Sequence, residues 1–224
     1  MFSRIIYGDS FYELDRLESN SVDIVFTSPD PPDTPELMNK LIGVINKSFR
    51  IVKNTGSLWV QLGDYHDDDG RQMMLIPERF ALSMRDNWFL RSKLVWHRPS
   101  DTIQEQTNRF KRDWEYLFFF TKTSDAYYFN QTTDMRTSVF TFPYVKPKSG
   151  EFSSGFPEGL IQLAIDTAVP RDGTVLDPFC DSGTTGVVAL KNARNFIGIE
   201  IVENKIEKIK KRLADITATR HAPQ

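Results

Sequence analysis

The segment Thr174-Val-Leu-Asp-Pro-Phe-Cys-Asp-Ser-Gly-Thr-Thr-Gly186 constrains the fold of this chain more than any other. It reads as an apolar strand, a tight polar turn and the start of a helix. Small residues at Ser182, Gly183 and Thr184 let a ligand approach the backbone closely. The helix opening there presents free N–H groups to a polar or anionic partner, such as the carboxylate of a bound amino acid. Asp177 stands at the carboxyl end of the strand, the edge at which open α/β sheets bind ligands, and can face a ligand ammonium. The next strand, 195–200, ends in Glu200, 23 residues after Asp177. That spacing suits one βαβ unit, and an acid there can accept hydrogen bonds from both hydroxyls of a ribose. No true G-x-G-x-x-G follows Asp177, which argues against a dinucleotide. A plain strand–turn–helix with a helix-capping acid is the other reading of the same residues.

Elsewhere strand and helix patterns alternate. The N-terminal MFSRIIYGDS reads as the start of a strand. Residues 22–27 (VDIVFT) form a β-branched and aromatic run stopped by Pro29, as in a buried strand. Residues 34–52 place Leu37, Leu41, Ile42, Val44, Ile45 and Phe49 near helical spacing, with Thr34 as cap and Pro35 in the first turn. Asn54 and Gly56 end that helix, and 57–62 (SLWVQL) follow as a strand. The pattern continues with a helix at 73–87, with Pro77 near its start, and strands at 90–97 and 116–121. A helix at 157–168, a strand at 174–177, a helix at 183–192, a strand at 195–200 and a charged amphipathic helix at 201–217 complete it. Residues 124–155, punctuated by Pro143, Pro147, Gly150 and Gly155, lack clear periodicity and read as a surface excursion. The alternation predicts one α/β domain over residues 1–224 around a mainly parallel sheet.

A chain of 224 residues, 40% hydrophobic and 26% charged, is large enough to bury a core without staples. No run of about 18 apolar residues is present, so no membrane partner is expected. The lone Cys180 excludes an internal disulfide and fits a reducing compartment. The net charge of -2 neither demands nor forbids nucleic acid. Its distribution says more: residues 85–112 gather Arg85, Arg91, Lys93, Arg98, Arg109, Lys111 and Arg112 against Asp86, Asp101 and Glu105. Such a patch can contact phosphate, or stand as a solvated face.

The turn DPFCDSGTT (177–185) resembles the DPFxGSGTT motif with which DNA amino-methyltransferases bind S-adenosylmethionine (SAM). These enzymes make N4-methylcytosine or N6-methyladenine. The resemblance implies SAM as cofactor, held by Asp177, Pro178, Phe179, Cys180, Asp181, Ser182, Gly183, Thr184, Thr185 and Glu200. Asp181 stands where the family usually has Gly; Asp tolerates a left-handed backbone better than most residues. A second segment, Val22-Asp-Ile-Val-Phe-Thr-Ser-Pro-Asp-Pro-Pro-Asp33, resembles the family's strand ending in TSPPY. In the family that rigid turn aims a main-chain carbonyl and the first polar side chain at the target amino group, and an aromatic stacks on the flipped base. Ser28, Pro29, Asp30 and Pro31 are the catalytic positions this implies. Ser28 and Pro29 match; Asp30 replaces the second Pro, and Pro31 replaces the aromatic. A frame two residues later, Asp30-Pro-Pro-Asp33, resembles the DPPY variant with Asp33 in place of the ring. Neither frame supplies the ring; proline can itself pack flat on a base, and Tyr65 or Trp96 can substitute from elsewhere. The chemistry needs acceptors that hold the amino hydrogens and free the nitrogen lone pair, together with alignment of carbon, nitrogen and sulfur. It needs no covalent nucleophile, and no metal is expected.

The resemblance extends over nearly all the chain. Asp9, in GDS, matches an acid near the SAM adenine; 56–64 match the strand after the catalytic helix. Leu94-Val-Trp-His-Arg-Pro99, Arg109 and Glu115-Tyr-Leu-Phe-Phe-Phe match a W-K-P…R…hE-x-x-x-F pattern. Phe156 and Pro157 match an FPxxL segment that packs against the cofactor. The catalytic motif precedes the SAM motif, as in the permuted β group. The implied fold is Rossmann-like: seven strands, mainly parallel with one antiparallel, and helices on both faces. DNA is the implied partner, with Arg91, Lys93, Arg98, Arg109, Lys111, Arg112, Lys146 and Lys148 as candidates for phosphate contact. A target-recognition excursion at about 128–155 is short, so either the recognised sequence is short or a second copy of the chain, in a homodimer, supplies contacts. A leading Ser usually accompanies N4-cytosine methylation, which Ser28 favours; the Asp30 frame keeps N6-adenine open. The implied setting is the cytoplasm of a prokaryotic cell or of a virus-infected host, and a catalytically impaired descendant is the remaining alternative.

Overall fold

The computed structural model describes residues 1–67, 69–99, 110–131, 137–144, 152 and 156–221. Eight strands form one sheet: β1 (Ser3–Tyr7), β2 (Val22–Thr27), β3 (Val52–Leu62), β4 (Phe89–His97), β5 (Trp114–Thr121), β6 (Val139–Thr141), β7 (Thr174–Asp177) and β8 (Asn195–Glu200). Their order is β1-β8-β7-β2-β3-β5-β4-β6. Every neighbouring pair is parallel except those made by β5, which runs antiparallel to both β3 and β4. The helices are α1 (Ser10–Glu13), α2 (Pro35–Ile51), α3 (Ile76–Met84), α4 (Glu158–Ala168), α5 (Thr184–Lys191) and α6 (Glu203–His221). The expected Rossmann-like class, with its single antiparallel strand, is what the chain adopts. The sheet has eight strands rather than seven because Val139–Thr141, inside the segment read as an excursion, pairs with the outer edge of β4 (Val95↔Val139). Most of the rest of that excursion lies outside the described residues.

Alternation along the strands builds two cores. Leu58, Val60, Leu62, Phe118, Phe120, Leu176, Ile197 and Ile199 point to the face covered by α2 and α3. Trp59, Leu117, Phe119, Val175 and Phe196 point to the face covered by α4, α5 and α6. α2 follows its sequence signals closely: the Thr34 hydroxyl accepts from the Leu37 N–H at 3.2 Å, and Pro35 opens the first turn. It does not end at Asn54 and Gly56, however. β3 begins directly at Val52, and the register against β2 jumps from Val22↔Val52 to Ile24↔Ser57. The carboxylate of buried Asp23 explains the detour. It binds Lys53 through both oxygens at 2.9 Å and accepts from the Thr174 N–H of β7 at 2.7 Å.

α3 is shorter than the 73–87 expected. The Asp64 carboxylate accepts from the N–H groups of Leu75 and Ile76, both at 3.1 Å, and Leu75 takes a left-handed φ of 54°, so the helix starts only after it. α6 likewise begins at Glu203 because the Glu200 side chain accepts from the Val202 N–H at 2.9 Å. No helix among the described residues is long and apolar enough to cross a membrane.

From β2 the chain moves through α2 to β3; from β7 it moves through α5 to β8, in the opposite direction across the sheet. β2 and β7 therefore flank the point at which strand order reverses, where the carboxyl ends of open α/β sheets part to form a crevice.

Candidate active site

A cavity of about 870 Å³ opens at that point, within the size range of small-molecule sites. The ends of β2 and β7 meet in it: the Thr27 hydroxyl donates to Asp177 Oδ1 at 2.8 Å. Asp177 also accepts from the Thr185 hydroxyl at 2.7 Å and the Phe179 N–H at 3.1 Å. Burial nevertheless dominates and pushes its carboxyl up to about 6; the three hydrogen bonds oppose the shift, and Asp181 adds to it. An acid left this poorly solvated is poised for a cationic partner.

The turn after Asp177 behaves as its small residues suggest. Asp181 and Gly183 take left-handed φ values of 48° and 78°. A β-carbon at Gly183 would come within 2.8 Å of the Ile209 side chain. Asp181 thus adopts the left-handed backbone that aspartate tolerates better than most residues. Its N–H donates to Glu200 Oε2 at 2.8 Å, and its carboxylate pairs with Lys205 at 2.5 Å. Gly183 precedes α5, and no side chain caps that helix. Glu200 is buried and holds the Asp181 and Val202 amides, one on each oxygen. Each oxygen keeps a second lone pair for a ligand. The Gly8 N–H bonds the Glu200 carbonyl at 3.0 Å, which brings Asp9 to the same rim. Asp9 caps α1 through the Phe11 N–H and pairs with Lys40 at 2.9 Å. Burial raises its pKa, but the Lys40 and Phe11 contacts outweigh that and hold the carboxyl below its ordinary value. The Cys180 thiol, buried against Gly198, is pushed well above its ordinary value by burial and by the Asp177, Glu200 and Asp181 charges.

Of the cofactor candidates, Asp9, Phe156, Asp177, Pro178, Phe179, Cys180, Asp181, Ser182, Thr184, Thr185 and Glu200 line the cavity. Pro157 and Gly183 do not; Pro157 caps α4, and Gly183 lies against α6. Phe156 wedges edge-on between Phe26 and Trp96, with ring centroids at 6.2 and 5.4 Å.

The catalytic candidates Ser28, Pro29, Asp30 and Pro31 line the same cavity. Ser28 is half-buried at the end of β2, and its hydroxyl donates to Gln61 Oε1 at 2.5 Å; Asp30 is exposed at the rim. Trp96 is buried, with its indole N–H on the Phe142 carbonyl at 2.8 Å. Tyr65 and Tyr144 are the rings lining the cavity that keep large exposed areas, 44% and 48%. The Tyr65 phenol is raised by burial and by Asp30, with Arg112 opposing, which puts it electrostatically beside the turn.

Among the candidates for DNA, Arg98 and Arg112 line the cavity. Arg98 pairs with Glu115 at 3.3 Å, and Arg112 holds one guanidinium nitrogen buried without a hydrogen-bond partner. Arg91 and Lys93 sit toward the other end of β4, Arg91 about 20 Å along the strand from His97. Arg91 stacks on Tyr127 and bonds the Ser124 carbonyl, and Lys93 lies over Tyr116. Lys111 is exposed. Arg109, Lys146 and Lys148 lie outside the described residues. Sequence reasoning missed Gln61, Lys40 and Lys205. A polar residue at the inward end of an otherwise apolar strand, as Gln61 is, was the available signal.

Three acids, an uncapped helix start and apolar walls from Phe179, Ile199 and Ile201 suit an amino acid joined to a nucleoside, which is the makeup of SAM. Fold and pocket together define an α/β transferase of the SAM-dependent methyltransferase class. A family model described as DNA methylase, covering the N6 and N4 enzymes, matches residues 28–211. The chain belongs to that family, whose methyl donor is SAM. Similar proteins include the type II methyltransferase M.XycI of Xanthomonas campestris pv. cyanopsidis, 28% identical over 89% of this chain and 83% of that protein. The DNA adenine methyltransferase YhdJ of Escherichia coli K12 is 26% identical over 93% and 82%. Among solved structures, the cytosine-N4-specific PvuII DNA methyltransferase superposes with a TM-score of 0.84 at 19% identity, covering 97% of this chain and 91% of that one. TTHA0409 of Thermus thermophilus, solved in complex with SAM, gives 0.77 at 20%, covering 96% of each.

Proposed function

We propose that this protein methylates N4 of cytosine in DNA, using SAM, within one domain that carries a short target-recognition excursion at about 128–155. The observation that carries the reading is the placement of Ser28. It is half-buried at the end of β2, in the same cavity as the Asp177–Thr185 turn, whereas Asp30 sits exposed at the rim. This favours the frame in which Ser28 leads, and with it cytosine over adenine.

When bound, SAM supplies a methyl group on a positively charged sulfur. Asp177 would face its ammonium, the open start of α5 its carboxylate, and Glu200 its ribose, with Asp9 toward the adenine. The residues of this chain then do three things. Ser28 and the proline turn hold the amino hydrogens of an extruded base, which frees the nitrogen lone pair and aligns it. Tyr65 offers the ring that Pro31 does not, and stacking is worth about 1–3 kcal/mol per base. Phe26, Phe156 and Trp96 keep water from one wall. Arg112 and Lys111, together with Arg109, Lys146 and Lys148, are our candidates for phosphate. Arg98 is engaged with Glu115, and Arg91 and Lys93 stand apart from the cavity.

Incubation of purified protein with isotopically labelled SAM and unmodified DNA, followed by nucleoside mass spectrometry, tests this directly. Labelled N4-methylcytosine is expected. N6-methyladenine would overturn the choice of base, and no labelled nucleoside on DNAs of varied sequence would overturn the activity.

A further inference from the structure

Ser28 is joined to a chain of polar side chains that the methyl-donor site does not use. Parallel pairing sets Thr27 opposite Val60, so Gln61 of β3 falls beside Ser28. Gln61 is almost fully buried, and its amide bridges two neighbours. Its Oε1 accepts the Ser28 hydroxyl at 2.5 Å, and its Nε2 donates to Glu115 Oε2. Glu115 is held in turn by Arg98, Nη1 to Oε1 at 3.3 Å. Gly63 makes room for it: a β-carbon there would meet the Glu115 carboxylate carbon at 3.3 Å.

The direction of every bond in this chain is forced. An ionised carboxylate only accepts, so Gln61 must turn its NH₂ toward Glu115 and its carbonyl toward Ser28. The reverse orientation would set carbonyl against carboxylate. Arg98 keeps Glu115 from swinging away. The single hydroxyl hydrogen of Ser28 is thereby committed to Gln61, and only lone pairs remain for the cavity.

We infer that Gln61, Glu115 and Arg98 are positioning residues that make Ser28 an acceptor-only group, so that the site selects bases bearing an amino group over those bearing an oxo group. This rests on the methyltransferase reading above. The 4-amino group of cytosine or the 6-amino group of adenine donates to Ser28. Their oxo counterparts, uracil and hypoxanthine, would bring an oxygen lone pair against the Ser28 lone pairs, with no hydrogen between them. Two of them, Arg98 and Glu115, lie in the segments 94–99 and 115–120 that the sequence singled out, and the network gives both a part beside Ser28.

The test uses full-length protein and duplexes carrying a site at which the wild type methylates, with the target base either present or replaced by its oxo counterpart. Binding of each duplex is measured by fluorescence anisotropy for wild type, Glu115→Gln and Glu115→Asp. Comparing the amino-to-oxo ratio between proteins cancels the difference in extrusion cost between the two duplexes. In Glu115→Gln the new side-chain amide can donate as well as accept, so the Gln61 amide is free to turn. The ratio should fall about tenfold in Glu115→Gln, the value of one mispaired hydrogen bond, and recover in part in Glu115→Asp. Turnover should fall in Glu115→Gln while SAM affinity, read by calorimetry, stays unchanged. Arg98→Met, which frees Glu115 without altering its charge, gives a second measurement should Glu115→Gln not fold. A ratio unchanged in every folded variant overturns the inference alone. Absence of methylation by the wild type overturns the activity, and this inference with it.

Discussion

Replacing Asp177 with Asn separates what this residue does for binding from what it costs the fold. The wild-type carboxyl is buried and its pKa stands at about 6, against 3.8 for an ordinary aspartate. The folded protein therefore holds the proton more tightly than the unfolded chain does. Linkage then fixes the sign: ionisation of Asp177 destabilises the fold, slightly at pH 4, increasingly as pH rises, and fully above about pH 7. A difference of about two units corresponds to about 1.6 kcal/mol at pH 5 and about 3 kcal/mol at pH 8. Asn does not titrate. It keeps one acceptor for Thr27 and the Phe179 amide, while its NH₂ requires the Thr185 hydroxyl to turn and accept, a pH-independent change of about 1 kcal/mol. Urea unfolding of both proteins at pH 5, 6, 7 and 8 should show the variant gaining about 1.4 kcal/mol on the wild type across that range. In calorimetry at pH 8 the variant should bind SAM more weakly, since in the site proposed above it loses the anion that would face the ammonium. Wild-type affinity should itself decline as pH falls through 6. A stability gap that is flat with pH, or that grows toward acid, would refute the assignment of a raised pKa to Asp177.

Ser28→Ala should lower turnover about 100-fold or more with SAM affinity nearly unchanged, as read by single-turnover kinetics beside calorimetry; normal turnover would mean that the catalytic turn has been placed in the wrong frame. Tyr65→Ala should weaken binding of target-containing DNA about tenfold or more, by the loss of about 1–3 kcal/mol of stacking, and Tyr65→Phe should restore most of it; an alanine variant with full affinity would pass the role to Tyr144.

The parts of this protein that could be read from its sequence are those whose causes are local. The run at β2, the Thr34 cap with Pro35, and the strand–turn–helix around Asp177 each carry their own reason within a dozen residues, and each appears where expected. The features that escaped depend on partners far along the chain. The detour at Lys53–Gly56 exists because Asp23 must satisfy both Lys53 and the Thr174 amide. The late start of α3 is imposed by Asp64, 11 and 12 residues upstream of the amides it takes. β6 is a strand only because β4 offers it an edge. The link from Ser28 to Gln61 to Glu115 spans separations of 33 and 54 residues. Hydrophobic periodicity carries no trace of it. Arg98 shows the same limit from the other side: charge composition placed it among phosphate contacts, whereas its geometry gives it to a carboxylate inside the cavity.

The seam between β2 and β7 is short, with two paired positions, yet it is riveted at both ends. Asp23 fastens it below through the Thr174 amide, and Asp177 fastens it above through Thr27. Sliding one strand past the other would break a buried charge-assisted bond at each rivet, so the halves of the cavity keep a set separation. The seam itself then contributes no motion, and on the function proposed above any rearrangement that brings nucleophile to electrophile takes place in the substrate or in the loops around the cavity.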